Sequence, residues 1–189
     1  GVSTFVPKPH TPFQWVSCDT VEQIQAKQAL LKRELRDRDI KLTWTLPEDT
    51  LLEAWLSRGD RRVAEVVYQA WLHGARFDAW QEHFQYQTWL QAFKECGLDP
   101  MFYTHRERAI DENFPWEHIS AGVRKKFLTE DYLWSLRGQT RVDCRERCFA
   151  CGILPTYAEL RNHNPGDVWQ CPEVKTKYLR IGAKAEIVT

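Results

Sequence analysis

The sequence predicts an α/β beginning that passes into a mostly helical chain with a cysteine-rich loop near its end. Residues 2–6 and 40–44 are rich in β-branched and aromatic residues and flank a helical pattern. After Pro47 the pattern is helical alone. Three of the six cysteines then fall within eight residues. Strand, helix and strand in that order form a βαβ unit, the building block of parallel sheets and barrels.

Length and charge exclude several classes of protein. The chain has 189 residues, enough for one ordinary domain with a docked extension, and 26 basic residues balance 26 acidic ones. The chain therefore has no overall positive charge that would indicate a nucleic-acid partner. No apolar run approaches the roughly 20 residues of a membrane-spanning helix, and residues 1–5 lack the basic and long apolar regions typical of a signal peptide. We expect a cytoplasmic protein and, because the chain opens on a strand without Met, a piece of a longer polypeptide.

The predicted βαβ unit occupies residues 1–47. Its first strand ends at three prolines, which stiffen the loop that follows. Asp19 or Thr20 then caps a helix that runs to about residue 38, with Glu22 three residues after Asp19 as in a capping box. Alternating apolar residues predict the second strand, which ends at Pro47.

Residues 48–138 are predicted to form a helical extension, residues 139–176 a cysteine-rich metal or cluster loop, and residues 177–189 a further segment with a weak strand. Glycines and possible caps divide the extension into helices. The expected helices cover about residues 51–56, 60–74, 80–96 and 120–136.

The cysteines Cys144, Cys148 and Cys151 have the spacing C-x3-C-x2-C. Thiolates are soft ligands, and this spacing lets one loop wrap an iron–sulfur cluster or a zinc ion. Radical S-adenosylmethionine enzymes hold their catalytic four-iron cluster with the same spacing, on the loop after the first barrel strand. Here the loop follows a helix, and the 38 residues after Cys151 (189 − 151) cannot hold further βαβ repeats of about 30 residues each. An accessory site fits better.

A closed site needs a fourth ligand. Cys171 is the natural candidate, and His163 is the substitute if the metal is zinc. Two alternatives remain open, namely buried thiols that hold no metal and reactive thiols. Three cysteines among polar neighbours favour the metal.

Several stretches together resemble radical S-adenosylmethionine proteins that also carry a cobalamin-binding domain. Residues 3–15, from Ser-Thr-Phe-Val through Pro-Lys-Pro-His to Phe-Gln-Trp, resemble a signature late in their barrel. Residues 58–62, 74–84 and 115–119 look like the helical extension of one uncharacterised subfamily. That subfamily ends in an Asp-Cys-Arg…Cys…Cys-Gly run similar to residues 143–152.

The resemblance implies the last βαβ portion of a radical S-adenosylmethionine barrel, followed by a helical extension with an auxiliary iron–sulfur cluster. The whole enzyme would bind S-adenosylmethionine, and it would also bind cobalamin if the longer protein carries that domain. The rest of the barrel would lie in the same polypeptide. The substrate is unknown. The subfamily pattern also has a further cysteine soon after Gly152, where this chain has Ile153-Leu154. That departure makes Cys171 more important as a ligand.

Two other interpretations concern binding. His10 follows a predicted barrel strand and is a candidate to contact the cofactor, or else it faces solvent on a rigid proline turn. Arg106 and Arg108 lie in an irregular segment, where they either bind phosphate or pair with nearby acids. The alternative function is a zinc-stapled module that binds RNA or a protein. Basic residues near the cysteines and in the tail support it: Arg141, Arg145, Arg147, Lys175, Lys177, Arg180 and Lys184.

Overall fold

The structure is a computed structural model that describes residues 1–36, 39–166 and 171–172. Regular structure in that part of the chain is helical apart from a single β-bridge. The helices are α1 (Val21–Glu34), α2 (Pro47–Arg58), α3 (Val63–Leu72), α4 (Tyr86–Glu95), α5 (Pro100–Thr104), α6 (Lys125–Ser135), α7 (Ile153–Thr156) and α8 (Ala158–His163).

The chain divides into two compact units. The first unit consists of Gly1–Pro9 and Phe13–His118 and contains α1 to α5. The second consists of His10–Pro12 and the described residues from Ile119 onward, and it contains α6 to α8. No helix in the described ranges is long and apolar enough to span a membrane.

The predicted α/β beginning, with its portion of a barrel, is wrong. Val2 and Trp44 form one isolated parallel bridge, in which the Val2 amide donates to the Thr43 carbonyl at 2.8 Å. No sheet or barrel forms among the residues that the structure describes. Two extended segments without a third are only marginally stable as a sheet. The first segment instead buries Val6 with Cys18 and with Ala54 of α2, so its apolar residues serve helix packing.

Helix α1 begins at Val21 after the N-cap Thr20, within the predicted region but with a different capping partner. The Thr20 hydroxyl accepts a hydrogen bond from the Gln23 amide at 3.3 Å, and the Gln23 side chain accepts one from the Thr20 amide at 2.9 Å. This reciprocal pair is a capping box. Asp19, which precedes the cap, pairs with Lys27 on the helix. The helix ends at Glu34, four residues before the predicted end.

The core of the first unit lies between α2, α3, α4 and α5. Its centre is Trp55, which is 1% exposed, stacks on Tyr86 at 5.7 Å between ring centroids and meets the Phe93 ring edge-on at 5.0 Å. Burying each large side chain contributes roughly 1.5–3 kcal/mol. The remaining buried members are Leu51, Leu52, Val63, Val66, Ala70, Trp89, Ala92 and Tyr103.

Arg58 ties the N-terminal segment and α5 to the end of α2. Its side chain is completely buried, and each of its three nitrogens donates to a backbone carbonyl. The acceptors are the carbonyl oxygens of Tyr103 at 3.1 Å, Pro7 at 3.3 Å and Val16 at 3.0 Å. Burial lowers the pKa of this guanidinium. The contacts join three distant parts of the sequence through one side chain.

Arg108 lies next to Arg58 and is also buried. Its Nη2 donates to the Arg58 carbonyl at 3.0 Å, its Nη1 pairs with Glu112 at 3.3 Å, and its backbone amide donates to the Trp15 carbonyl at 2.8 Å. Burial, with the nearby Arg58 charge, lowers the pKa of Arg108 to about 10. The guanidinium therefore remains charged at neutral pH.

Two predicted helices begin later than the sequence pattern indicated. The helix expected at residues 80–96 starts at Tyr86, because residues 78–83 form turns. The helix expected at residues 120–136 starts at Lys125, because Gly122 takes a left-handed conformation (φ 75°) inside the predicted range. In both places the apolar periodicity extends beyond the N-terminus of the helix that forms.

Candidate metal-binding cysteine loop

The candidate cysteines lie in the second unit with unequal exposure. Cys144 is exposed, whereas Cys148, Cys151 and Cys171 are half-buried. In the described ranges, no three or more Cys, His, Asp or Glu side chains form a group that could hold a metal ion. The full ligand set is therefore not gathered in the structure, although one half of it is ordered into a defined turn.

That ordered half is the turn from Cys148 to Cys151. The Ala150 amide donates to Sγ of Cys148 at 3.4 Å. Ala150 adopts a left-handed conformation with φ 54°, which costs a non-glycine residue about 1 kcal/mol or more. Hydrogen bonds to the ligand atoms of a metal site orient those atoms, as the Ala150 amide orients the Cys148 sulfur here. The donor type and the amide hydrogen bond both fit a soft metal centre.

The end of the turn is fixed to the segment that leads into α6. The Cys151 carbonyl accepts a hydrogen bond from the Arg124 amide at 2.8 Å. Gly152 follows with φ 111°, and a Cβ there would lie 2.7 Å from Cγ of Arg124 and 3.1 Å from the Gly122 carbonyl oxygen. Only glycine fits this close approach. The backbone at Cys151 is thus held in one position by its neighbours.

The start of the loop is fixed by Arg141. Its guanidinium carbon lies 4.7 Å from the ring centroid of Phe149, which stands between Cys148 and Cys151. On α6 the same guanidinium pairs with Asp131 and, at 3.2 Å, with Glu130. Two more rings of α6 complete its surroundings: Phe127 at 4.9 Å and Trp134 at 4.8 Å.

Local ion pairs neutralise part of the positive charge around the cysteines. Arg145 pairs with Asp143 at 2.8 Å on the surface, and its hydrogen bonds hold the pKa of that carboxyl below its usual value. Asp143 also accepts from the Arg145 amide at 2.8 Å, which shapes the turn around Cys144. With Arg141 paired to α6, two of the basic residues that suggested an RNA partner are engaged within the chain. The basic tail residues of that interpretation lie outside the described ranges.

The other candidate ligands lie in different settings. His163, near the end of α8, directs Nδ1 to the Glu159 carbonyl oxygen at 2.8 Å within its own helix. His10, the candidate cofactor contact, is half-buried and has a left-handed backbone (φ 56°). Neither belongs to a metal-holding group in the described part of the chain, and the role of each stays a prediction.

The arginine pair considered for phosphate binding is engaged with an acid. Arg106 forms a two-pronged ion pair with Glu112, at 2.7 Å for each oxygen, and Arg108 shares the same carboxylate. These hydrogen bonds raise the pKa of Arg106 and lower that of Glu112. The geometry favours internal pairing over phosphate binding. The sequence analysis did not single out Arg58, although residues 58–62 were among the stretches that carry the family resemblance.

An apolar cleft of about 460 Å³ borders α3, and Arg76 stacks over Trp71 on its wall at 5.3 Å. Asp78, which also lines the cleft, accepts a hydrogen bond from the Trp89 indole at 3.4 Å. Trp80 and His83 lie in turns instead of on the predicted helix. Comparison of the chain with protein-family models, curated proteins and solved structures finds no match.

Proposed function

We propose that the cysteine loop binds an iron–sulfur cluster through Cys144, Cys148, Cys151 and Cys171, as an auxiliary centre of a radical S-adenosylmethionine enzyme. The single observation that carries the metal site is the Cys148–Cys151 turn. Its amide-to-sulfur hydrogen bond and its left-handed Ala150 hold the Cys148 sulfur in a defined turn, three residues before Cys151.

The two remaining ligands join when the metal binds. Cys144 is exposed on the loop that leads to the turn, so its side chain is accessible to an incoming metal. Cys171 is half-buried and supplies the fourth thiolate that a closed site requires. Metal binding commonly completes the folding of its own ligand loop, because the binding free energy offsets the ordering of the chain.

The choice of iron–sulfur over zinc, and the enzyme class, rest on the sequence resemblance. A bound cluster would supply one-electron transfer or an open iron for a ligand. The barrel, the catalytic cluster and the S-adenosylmethionine site would belong to other parts of the same polypeptide, and cobalamin would bind there if its domain is present. The proposal places the enzyme in the reducing cytoplasm, where thiolates remain available to metals.

Metal analysis after anaerobic purification tests the proposal. We expect brown protein with iron and acid-labile sulfide in similar amounts. Cys148→Ser should lose that centre, because a serine hydroxyl is a poor soft-metal ligand. Cys96→Ser is the matched control, since Cys96 is a half-buried cysteine at the end of α4 in the first unit; it should keep full occupancy.

Each outcome separates the alternatives. Colourless protein with one zinc per chain that Cys148→Ser removes would confirm the metal site and reject the iron–sulfur assignment. Such protein would then be tested for RNA binding as a zinc-stapled module. Protein that binds no metal after reconstitution with iron and sulfide or with zinc, or whose metal survives Cys148→Ser, would overturn the proposal.

A further inference from the structure

Arg141 stands where the chain leaves α6 and begins the cysteine loop. After α6 ends at Ser135, the chain turns at Gly138, which has φ 65°, and returns so that Arg141 lies against the helix it has just left. The Arg141 side chain is only 14% exposed. A guanidinium with so little exposure, three residues after a surface turn, is a defined feature of the fold.

The partners of Arg141 come from two sources. Both carboxylates and two of the three rings belong to α6, and they hold the guanidinium on that helix. Phe149 alone comes from the far end of the loop. A cation over an aromatic ring is attracted to it electrostatically, and partial burial strengthens the attraction.

This contact closes the loop between residues 141 and 149. Cys144 lies inside the closed segment and Cys148 directly before its closing ring, so the contact limits how far these two sulfurs can separate. Closing a flexible segment in advance removes an entropic cost that ligand binding would otherwise bear. Arg147, inside the segment, also places its guanidinium carbon 5.1 Å from the Phe149 ring centroid, so the ring is held by two cations.

We infer that Arg141 is a positioning residue for the metal site, acting through Phe149 to close the cysteine loop before the metal binds. The inference rests on the proposed function for the existence of the metal. It assigns no ligand role to Arg141. It predicts that metal affinity depends on a guanidinium that is fixed to α6 and touches none of the sulfurs.

Cobalt(II) titration under anaerobic, reducing conditions measures this dependence, since thiolate-bound cobalt absorbs visible light. Arg141→Gln should weaken cobalt binding about tenfold, the order expected from one lost cation–ring contact of partial burial. Arg145→Gln is the matched control, because it removes the same charge from the same loop while its side chain is 72% exposed. That variant should bind within about twofold of the wild type.

Substitutions at Phe149 distinguish positioning from general loss of structure. Phe149→Leu leaves the α6 partners of Arg141 in place but removes the ring that both Arg141 and Arg147 contact, so it should weaken binding at least as much as Arg141→Gln does. Phe149→Tyr keeps the ring and should retain wild-type affinity. Because Arg141 acts through this ring, the double variant Arg141→Gln/Phe149→Leu should lose no more than Phe149→Leu alone, well short of the product of the two single losses.

The outcomes are distinct for the two claims. Wild-type protein that binds neither cobalt nor an iron–sulfur cluster overturns the proposed function and, with it, this inference. Wild-type protein that binds cobalt, with Arg141→Gln or Phe149→Leu binding equally well, overturns the inference alone. Multiplicative losses in the double variant also overturn it, since they show that the two residues act separately.

Discussion

Arg58 in the first unit and the largely buried Arg141 in the second keep their charges away from solvent with different partners. Arg58 is completely buried and satisfies its three nitrogens with backbone carbonyls. Arg141 keeps slight exposure and meets two carboxylates and three aromatic rings. A buried charge is costly unless it is paired or fully hydrogen-bonded, and each site meets that requirement with different chemistry.

The difference lies in what each arginine connects. The carbonyls on Arg58 come from Pro7, Val16 and Tyr103, which are far apart in sequence, so its loss would leave several buried acceptors without a donor. The partners of Arg141 are one helix and one loop. Arg58 should therefore control the stability of its whole unit, whereas Arg141 should control the order of a local segment.

The largest expected effect follows from replacing Arg58. Arg58→Met removes the charge but keeps a long apolar stem, and it leaves three buried carbonyls unsatisfied. We expect a loss of about 3–5 kcal/mol in the free energy of unfolding, measured by urea denaturation under reducing conditions. Arg141→Met should cost only about 1 kcal/mol in the metal-free protein.

Arg62→Met provides the control for Arg58, because it removes an arginine near the same helix end. The Arg62 side chain is 55% exposed and pairs with Asp60, so its replacement should cost less than about 1 kcal/mol. If Arg58→Met costs no more than Arg62→Met or Arg141→Met, the contrast drawn between the two sites is wrong.

An intermediate effect is expected at Arg108, which combines both kinds of contact. It donates to the Arg58 carbonyl, pairs with Glu112 and lies over the rings of Phe114 at 5.5 Å and Trp116 at 5.2 Å. Arg108→Met keeps apolar contact with those rings and leaves the carboxylate near Arg106. We expect a loss of about 2–3 kcal/mol in the same denaturation experiment.

The loss of stability in Arg108→Met, compared with the losses in Arg58→Met and Arg141→Met, shows which of its contacts contributes most. A loss as large as that of Arg58→Met would show that the carbonyl contact dominates. A loss near that of Arg141→Met would show that the rings and the carboxylate dominate. A change within about 0.5 kcal/mol of wild type would contradict the assignment of Arg108 to the buried network.

The smallest effect concerns pH and the carboxylate of Glu112. Hydrogen bonds from Arg106, with the charge of Arg108, hold the pKa of Glu112 below its ordinary 4.5. A carboxyl with a lowered pKa in the folded state stabilises the fold above its unfolded pKa, and this contribution is lost as the pH falls through the folded pKa. Denaturation of the wild type and of Glu112→Gln between pH 7 and pH 3 measures the contribution.

We expect the wild type to be more stable than Glu112→Gln at pH 7, by about 1 kcal/mol or less because the pair is partly exposed. The two proteins should converge toward pH 3. Other carboxylates titrate in the same range, so the quantity of interest is the difference between the two proteins at each pH. A constant difference across the range would contradict the lowered pKa.

Helix positions were largely predictable from the sequence, because the signals are local. The start of α1 near residue 20 and the end of α3 before Gly74 are confirmed, since a capping side chain and a helix-ending glycine act within one turn. The capping partner was assigned wrongly as Glu22, because spacing alone does not distinguish Asp19 from Thr20 as the cap.

The sheet was mispredicted because its evidence was not local. Residues 40–44 alternate as a strand would, yet an isolated pair of extended segments is only marginally stable, and the described residues supply one bridge to Val2. For the same reason, the sequence analysis did not predict that Arg58 and Arg141 connect separate segments of the fold. Their partners lie up to fifty residues away or on a helix face, and charge in the sequence does not indicate burial. The cysteine spacing identified the candidate loop, whereas the closure by Phe149 required coordinates.

The close approach at Gly152 has a consequence for how the cysteine segment can vary. A side chain at Gly152 would lie 2.7 Å from Cγ of Arg124 and 3.1 Å from the Gly122 carbonyl oxygen, and the residue has φ 111°. A side chain at Gly122 would instead lie 2.9 Å from the Tyr157 ring, which a change of side-chain rotamer can relieve. In an evolving lineage Gly152 should therefore be kept more strictly than Gly122, and a homologue that has replaced Gly152 should have rebuilt its cysteine segment along a different path.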